Sequence, residues 1–316
     1  MKVIFDTDPG IDDAMALLYL SKLPEVELLG ITTVVGNADI ATTTRNALFL
    51  RQQFGITAPV IRGAGETLDG VVKPEPVAVH GVNGLGDIAI PEVSEEGLQA
   101  GTAAQFIIDT LRKYPGEVTI IAVGRMTNLA LALRQDPAIA GLVEQVIIMG
   151  GAFGYQGRSG NLTPAAEANI HGDPVGADEM FAADWPIAVV GLDVTHDIIL
   201  DNAYLKVLAD EVGENGVLLA QISDHYAKFY TNIMGLAGVV GHDLLAVTYL
   251  LHPEWFETRE GPVVVIRDGI AAGQTIQMPS SRKGGHPDWA GRRAQQVCIG
   301  VDAAKVLEHY RATVSR

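Results

Sequence analysis

The sequence predicts an α/β protein: a single large, open, mostly parallel sheet flanked by helices on both faces, with a helical subregion and additional strands toward the C-terminus. Three observations carry that prediction. Short apolar, β-branched runs alternate with longer segments of helical spacing, the pattern of parallel strands joined by crossover helices. Hydrophobic residues make up 48% of the 316 and charged residues 19%, enough apolarity for a sizeable core and too much for disorder. No repeat, low-complexity tract or linker divides the chain, so residues 1–316 read as one domain.

The elements follow in order. Residues 3–5 form a short apolar strand, and 15–23 read as a helix. A β-branched run at 26–35 is the second strand, followed by a helical pattern at 39–54 that Gly55 stops. Residues 59–62 make a third strand. A loop at 64–96, rich in glycine, proline and acids, comes next; loops of that length in compact domains usually serve function. It holds Val79-His80-Gly81-Val82-Asn83-Gly84-Leu85-Gly86, whose glycines permit close backbone approach. Helix 101–114 carries Ala103, Phe106, Ile107 and Leu111 at helical spacing, then strand 118–123 and a helix starting at 128–133. Strand 145–149 closes on Gly150-Gly151, and a second long loop at 152–172 carries Asn161, Glu167, Asn169 and His171. Asp173-Pro174 has the chemistry of a helix start. A sixth strand at 187–194 ends in Asp193-Val194-Thr195-His196. Helices at 202–211, 216–234 and 242–251 form the helical subregion. Strands at 263–267, 275–278 and 295–299 and a helix from Asp302 complete the chain.

The net charge of −16, from 38 acids against 22 Lys plus Arg, argues against binding a nucleic-acid backbone. It fits a neutral or cationic ligand, or a metal bridging to an oxygen-rich one. The single cysteine, Cys298, excludes an internal disulfide and a multi-cysteine zinc site, and its apolar setting marks it as a small buried hydrophobe. No signal peptide is expected at the N-terminus, and no apolar stretch reaches the roughly eighteen residues of a membrane span. A cytoplasmic, reducing setting is the expectation.

The chemistry concentrates after the first strand, where Asp6, Asp8, Asp12 and Asp13 place four carboxylates in eight residues around Pro9 and Gly10. Ligands bind at the carboxyl ends of strands in open α/β sheets. Packed acids there repel one another, and a hard divalent cation would neutralise them. Individually, each aspartate is also an ordinary helix or turn cap. Gly36-Asn37, residues 124–128 and residues 149–151 follow other strands of the same sheet and converge on the same face.

These residues resemble the nucleoside hydrolases, the family of inosine–uridine-preferring enzymes and bacterial ribonucleoside hydrolases. The resemblance runs through residues 3–14, Ile31-Thr32-Thr33-Val34-Val35-Gly36-Asn37, residues 146–151, Ala166-Glu167-Ala168-Asn169 and Gly241-His242-Asp243, in order from residue 3 to about 250. It implies hydrolysis of the N-glycosidic bond of ribonucleosides in nucleoside salvage, with Ca²⁺ in the active site. By resemblance, Asp8, Asp13, Asp243 and the Val123 carbonyl hold the ion. Asp12 and Asn37 bind the ribose 2′ and 3′ hydroxyls; Asn161, Glu167 and Asn169 grip the 5′ and 3′ side, with Met149 beneath the sugar. Asp8 serves as base toward a calcium-bound water. His80, Tyr226, Tyr230 and His242 surround the nucleobase, and His242 is the candidate acid for the leaving base. The family also implies a homodimer or homotetramer, with no nucleic-acid or membrane partner.

The physical chemistry agrees with those roles. A bound metal lowers the pKa of water, and fixed carboxylates and amide oxygens stabilise an oxocarbenium-like sugar. Histidine ordinarily titrates near working pH, which suits His242; a structural hydrogen bond at a helix start is the competing reading. Tyr226 and Tyr230, four apart on one helix face, either meet the base or belong to the core. Ala168 departs from the aromatic residue that related chains often carry there, leaving that contact weaker or rebuilt by Phe153, Tyr155 or His171. Asp193 and His196 read as structural. Two rival functions share the residues. A haloacid-dehalogenase-like phosphatase would use an Asp-x-Asp with Mg²⁺, although Pro9 and Asp12-Asp13 have no place in that scheme. A calcium-dependent sugar- or nucleoside-binding module would bind diols without a productive water.

Overall fold

Lys2–Thr7 forms β1, at the centre of the sheet. Its successive side chains enter different cores: Val3 and Phe5 pack in one hydrophobic cluster and Ile4 in the other. That alternation is what a strand covered on both faces requires. The structure, a computed structural model, describes residues 1–70, 76–282 and 285–316. Residues 71–75 of the loop expected at 64–96 lie outside the described residues.

After β1 come α1 (Ile11–Ser21), β2 (Glu27–Thr33), α2 (Ile40–Gln53) and β3 (Val60–Ile61). Asp39 starts α2 by accepting the Thr42 N–H at 2.7 Å. The long loop contains a short α3 (Val77–His80) and leads into the edge strand β4 (Leu98–Gln99). Then follow α4 (Ala103–Lys113), β5 (Val118–Ala122), α5 (Thr127–Gln135), β6 (Gln145–Met149), α6 (Ala168–Gly172), α7 (Pro174–Ala182) and β7 (Ile187–Val190). Asp173 caps α7, accepting the Gly176 N–H at 2.9 Å, with Pro174 in the first turn.

The next segment is α8 (Leu192–Thr195), β8 (Ile199–Asp201), α9 (Asn202–Glu211), α10 (Glu214–Met234), β9 (Gly238–Val240) and α11 (His242–Leu251). The chain ends in β10 (Phe256–Gly261), β11 (Val263–Val265), β12 (Thr275–Gln277), β13 (Gln295–Val301) and α12 (Ala303–Val314).

Among the described residues, nine strands form the main sheet in the order β10-β13-β7-β6-β5-β1-β2-β3-β4. Every neighbouring pair is parallel except β10 with β13. Helices α1, α2, α10, α11 and α12 contribute to one core and α4, α5 and α7 to the other, so both faces are covered as expected. The chain begins in the middle and builds outward in both directions, so strand order reverses between β1 and β5. The crevice at the carboxyl ends of those two strands is where such a sheet binds ligands.

The sequence reading differs from the structure in identifiable places. The strand expected at 187–194 stops at Val190, and Leu192–Thr195 is helical instead. Asp193 draws that turn beneath the preceding loop by accepting the N–H groups of Phe153 (2.8 Å) and Tyr155 (2.7 Å). Strand β10 was not anticipated because Glu257-Thr258-Arg259-Glu260 has no apolar run. It is an edge strand, where exposed charge discourages further pairing. The antiparallel pair β8–β9 lies outside the main sheet and was also missed. Cys298 is buried, and burial pushes its thiol pKa up, in keeping with a packing role. No helix among the described residues is long and apolar enough to cross a membrane.

Candidate active site

The turn from β1 into α1 builds the floor. Asp13, in the first turn of α1, accepts from the Thr7 hydroxyl, from the Gly10 N–H at 2.9 Å and from Asn37 Nδ2 at 3.1 Å. Asp8 accepts the Asn37 N–H at 2.8 Å through Oδ2, while its Oδ1 is buried without a hydrogen-bond partner. Backbone closes tightly on this side chain. A Cβ on Gly36 would lie 1.8 Å from Asp8 Oδ2, and one on Gly124 would lie 2.7 Å from Oδ1. Asp243 joins from the first turn of α11, and one carboxylate oxygen from each of Asp12, Asp13 and Asp243 lies within 4.8 Å of the others.

Burial is the main reason these carboxylates are held above their ordinary range. For Asp8 and Asp12 the charge of Asp13 adds to it, and for Asp243 the charges of Asp12, Asp13 and Asp8 do. Asp13 is raised by burial against the pull of its hydrogen bonds from Thr7 and Gly10. So dense a set of buried anions costs stability unless protons or a cation neutralise it. All its donors are hard oxygens and one of them is orphaned, so the set fits a divalent cation such as calcium.

The neighbouring wall comes from β5, β6 and α6. The Val123 carbonyl, just past β5, accepts Asn169 Nδ2 at 2.7 Å and keeps a second lone pair. The same amide nitrogen reaches the Met149 carbonyl (3.2 Å) and Sδ (3.4 Å) at the end of β6. Glu167 caps α6: its carboxylate accepts from the N–H groups of Asn169 (2.7 Å), Ile170 (3.0 Å) and Gly151 (3.0 Å). Asn161 ties the loop to the start of this helix, its Oδ1 accepting the Ala168 N–H at 3.0 Å.

A chain of hydroxyls and imidazole forms the third side. Tyr226 and Tyr230 hydroxyls lie 3.1 Å apart on α10, and Tyr230 reaches His242 Nε2 at 2.7 Å. His242 Nδ1 meets Thr195 Oγ1 at 2.7 Å. Burial first, then the nearby His196 and His80, hold His242 well below the usual imidazole range. His80, on α3, tilts against Tyr226 with centroids 5.4 Å apart, and its Nδ1 accepts the Ile11 N–H at 3.3 Å. Burial and, less, His225 pull its pKa to about 3.

One cavity of about 400 Å³ gathers these walls. Asp12, Asn37, His80, Val123, Met149, Asn161, Glu167, Asn169, Tyr226, Tyr230, His242 and Asp243 all line it. Asp8 and Asp13 are not part of its lining surface; both are buried in the β1–α1 turn beside it.

Sequence reasoning passed over some of the lining. His196, set aside as structural, faces the cavity with its ring 5.6 Å from His242, edge-on. Asp193 is structural as read, through its bonds to Phe153 and Tyr155. Arg158 lines the cavity and pairs with Asp197 at 2.6 Å. Thr195 became visible only through its contact with His242, because a threonine at a strand end carries no sequence signal of its own. Ala168 lines the cavity, but Phe153, Tyr155 and His171 do not, so none of them stands in for an aromatic there. The Tyr155 ring carries the Arg259 guanidinium at 4.6 Å instead.

With the geometry in place, comparisons with known proteins are informative. The family model described as inosine-uridine preferring nucleoside hydrolase matches residues 3–308. Uridine nucleosidase 1 of Arabidopsis thaliana is 38% identical, over 100% of this chain and 93% of its own length. Among solved structures, the plant nucleoside hydrolase PpNRh1 superposes with a TM-score of 0.95 at 36% identity, covering 99% of this chain and 98% of that one. A purine-preferring ribonucleoside hydrolase from Gardnerella vaginalis gives a TM-score of 0.91 at 32% identity, covering 100% and 98%.

Proposed function

The chain belongs to the inosine-uridine preferring nucleoside hydrolase family, and from that premise we propose that Asp8, Asp13, Asp243 and the Val123 carbonyl hold Ca²⁺ while Asp8 activates the attacking water. As a member of that family it is a hydrolase of the N-glycosidic bond of ribonucleosides, which removes the phosphatase and binding-module readings. The observation that carries the metal reading is the buried, partnerless Asp8 Oδ1 beside the clustered oxygens of Asp12, Asp13 and Asp243. When bound, the ion lowers the pKa of a coordinated water.

The chain's own residues do the rest in this reading. Asp8 accepts the water's proton as oxygen adds to C1′. Asp12 and Asn37 hold the 2′ and 3′ hydroxyls. Asn161, Glu167 and Asn169 hold the 5′ and 3′ side over Met149, and this positioning removes much of the entropic barrier. Because their carboxylate and amide oxygens are already fixed by the bonds described above, they stabilise positive charge on the sugar without reorganising. The leaving base lies among His80, Tyr226, Tyr230 and His242. In this reading it takes a proton from the Tyr230 hydroxyl, which regains one from solvent through His242, while the proton that Asp8 took from water returns to solvent, so the sum balances. The working form in this reading is a cytoplasmic homodimer or homotetramer, which sedimentation would measure.

The direct test is calorimetric titration of Ca²⁺ into chelator-treated protein, followed by assay of ribose release. Saturable binding that restores activity, and that Asp13→Ala abolishes in a folded protein, supports the assignment. Full activity without metal removes it.

A further inference from the structure

Asn128, in the first turn of α5, is not part of the cavity lining, yet its side chain joins the carboxyl ends of three neighbouring strands. It is buried, and its amide is fully engaged. Nδ2 donates to Asp6 Oδ2 on β1 at 2.8 Å and to the Thr33 carbonyl at the end of β2 at 2.9 Å. Oδ1 accepts the Ala64 N–H, just past β3, at 2.9 Å. The segments are so close that a Cβ on Gly63 would lie 2.1 Å from the Thr33 carbonyl oxygen and 2.4 Å from Asn128 Oδ1.

Asp6 is fully buried on the central strand. Its hydrogen bonds come from two neutral groups, Asn128 and the Thr32 hydroxyl at 2.6 Å, and both reach Oδ2. Its Oδ1 is buried without a partner. A carboxyl group with so few partners in the interior costs stability. What Asp6 supplies is orientation. An asparagine amide can sit either way round, but the reversed one would turn its oxygen toward Asp6 and the Thr33 carbonyl, which have no hydrogen to give it.

From Asn128 the order passes through the main chain to the cavity. The Ala64 carbonyl accepts the Val35 N–H at 2.9 Å, and the Thr7 carbonyl accepts the Val34 N–H at 3.0 Å. These bonds set the turn after β2, from which Asn37 places its N–H on Asp8 and its Nδ2 on Asp13. We propose that Asn128, oriented by Asp6, is a positioning residue for nucleoside hydrolysis that holds the β2–α2 turn so that Asn37 meets the ribose. The proposal rests on the reading of Asn37 as a ribose-binding residue.

The test measures kcat and KM for a ribonucleoside that the parent cleaves and for its 2′-deoxy and 3′-deoxy analogues. Asn37→Ala first identifies the hydroxyl that Asn37 holds, as the one whose absence no longer matters. Asn128→Asp keeps the shape and the acceptor for Ala64 but loses both donors. It should lower kcat/KM for the ribonucleoside by about tenfold or more, the scale for groups that orient site residues from behind. The analogue lacking that hydroxyl should lose much less, so the preference for the hydroxyl shrinks although Asn128 does not line the cavity. Adding Asp6→Asn returns a donor to the pair from the other side and should restore part of the rate and of the preference. Asn128→Ser, which adds no charge, carries the same comparison if Asn128→Asp does not fold; circular dichroism decides. Full activity, or an equal loss on all three substrates in a folded variant, would overturn the proposal. Both preferences unchanged in Asn37→Ala would instead show that Asn37 holds neither hydroxyl, and the proposal would fall with that reading.

Discussion

Thr195 Oγ1 lies 2.7 Å from His242 Nδ1, joining α8 at the end of β7 to the first turn of α11. On its other side, His242 Nε2 lies 2.7 Å from the Tyr230 hydroxyl. A neutral imidazole carries one proton, so the partner on one nitrogen decides what the other can do. Replacing Thr195 by valine removes that control at nearly constant volume. Turnover of inosine and uridine should fall about tenfold, a part of what general acid catalysis supplies. A riboside with a 4-nitrophenol leaving group, which needs no proton, should be spared. Thr195→Ser should restore nucleoside turnover. Equal loss on both substrates would mark Thr195 as purely structural.

His242→Ala extends the same comparison. It should slow nucleosides with poor leaving bases by about a hundredfold or more and the activated aryl riboside much less. Equal losses on both would remove the proton-donating role from His242 and leave it as a packing residue.

Gly36 has no room for a side chain, because its Cβ would fall 1.8 Å from Asp8 Oδ2. Gly36→Ala should displace Asp8 or the backbone that carries Asn37. Ribose release should drop by about a hundredfold or more, since small misplacements at a reacting centre cost that much. Calcium affinity should fall in parallel. A fully active variant would mean that Asp8 does not need its observed position.

Away from the site, Asp178 ties α7 to the C-terminal strands. It accepts Arg292 Nη1 at 2.8 Å, Arg292 Nη2 at 3.0 Å, Arg267 Nε at 2.8 Å and the Val265 N–H at 3.0 Å. Burial alone would raise its pKa, but the bonds from Arg292, Val265 and Arg267 outweigh it and hold the carboxylate below the usual range. A depressed folded-state pKa contributes stability above the unfolded value, and that stability is lost as pH falls through the folded value. Asp178→Asn should therefore destabilise the protein at pH 7 by about 3 kcal/mol, the scale of breaking a buried ion pair. The difference from the parent should shrink at pH values below the ordinary aspartate pKa of about 3.9. Denaturant midpoints at the two pH values check this; an equal gap at both would show that charge is not what Asp178 supplies.

Legibility in the sequence followed the range of the interactions involved. The helices Asn202–Glu211 and His242–Leu251 have the bounds that spacing gives, and so does strand Gln145–Met149, because local apolar pattern and caps define them. The acidic turn after β1 was readable because its density has few ordinary explanations. What escaped depends on partners distant in sequence. β10 is a strand because β13 pairs with it, and Leu192–Thr195 turns because Asp193 reaches Phe153 and Tyr155. The position of His196 on the cavity wall and the contact of Thr195 with His242 likewise arise only when strand ends converge. The downward shift of the His242 pKa follows from burial, which its sequence neighbours do not reveal.

In the proposed mechanism the buried carboxylates hold a cation without which the sugar is not attacked. Reducing-sugar release from inosine, adenosine, uridine and cytidine tests it most directly, with Ca²⁺, after thorough chelation, and beside Asp13→Ala. The expected result is ribose from at least one of the four with calcium, none after chelation, recovery when calcium is returned, and none from the folded variant. Undiminished ribose release after chelation, or from Asp13→Ala, would contradict it.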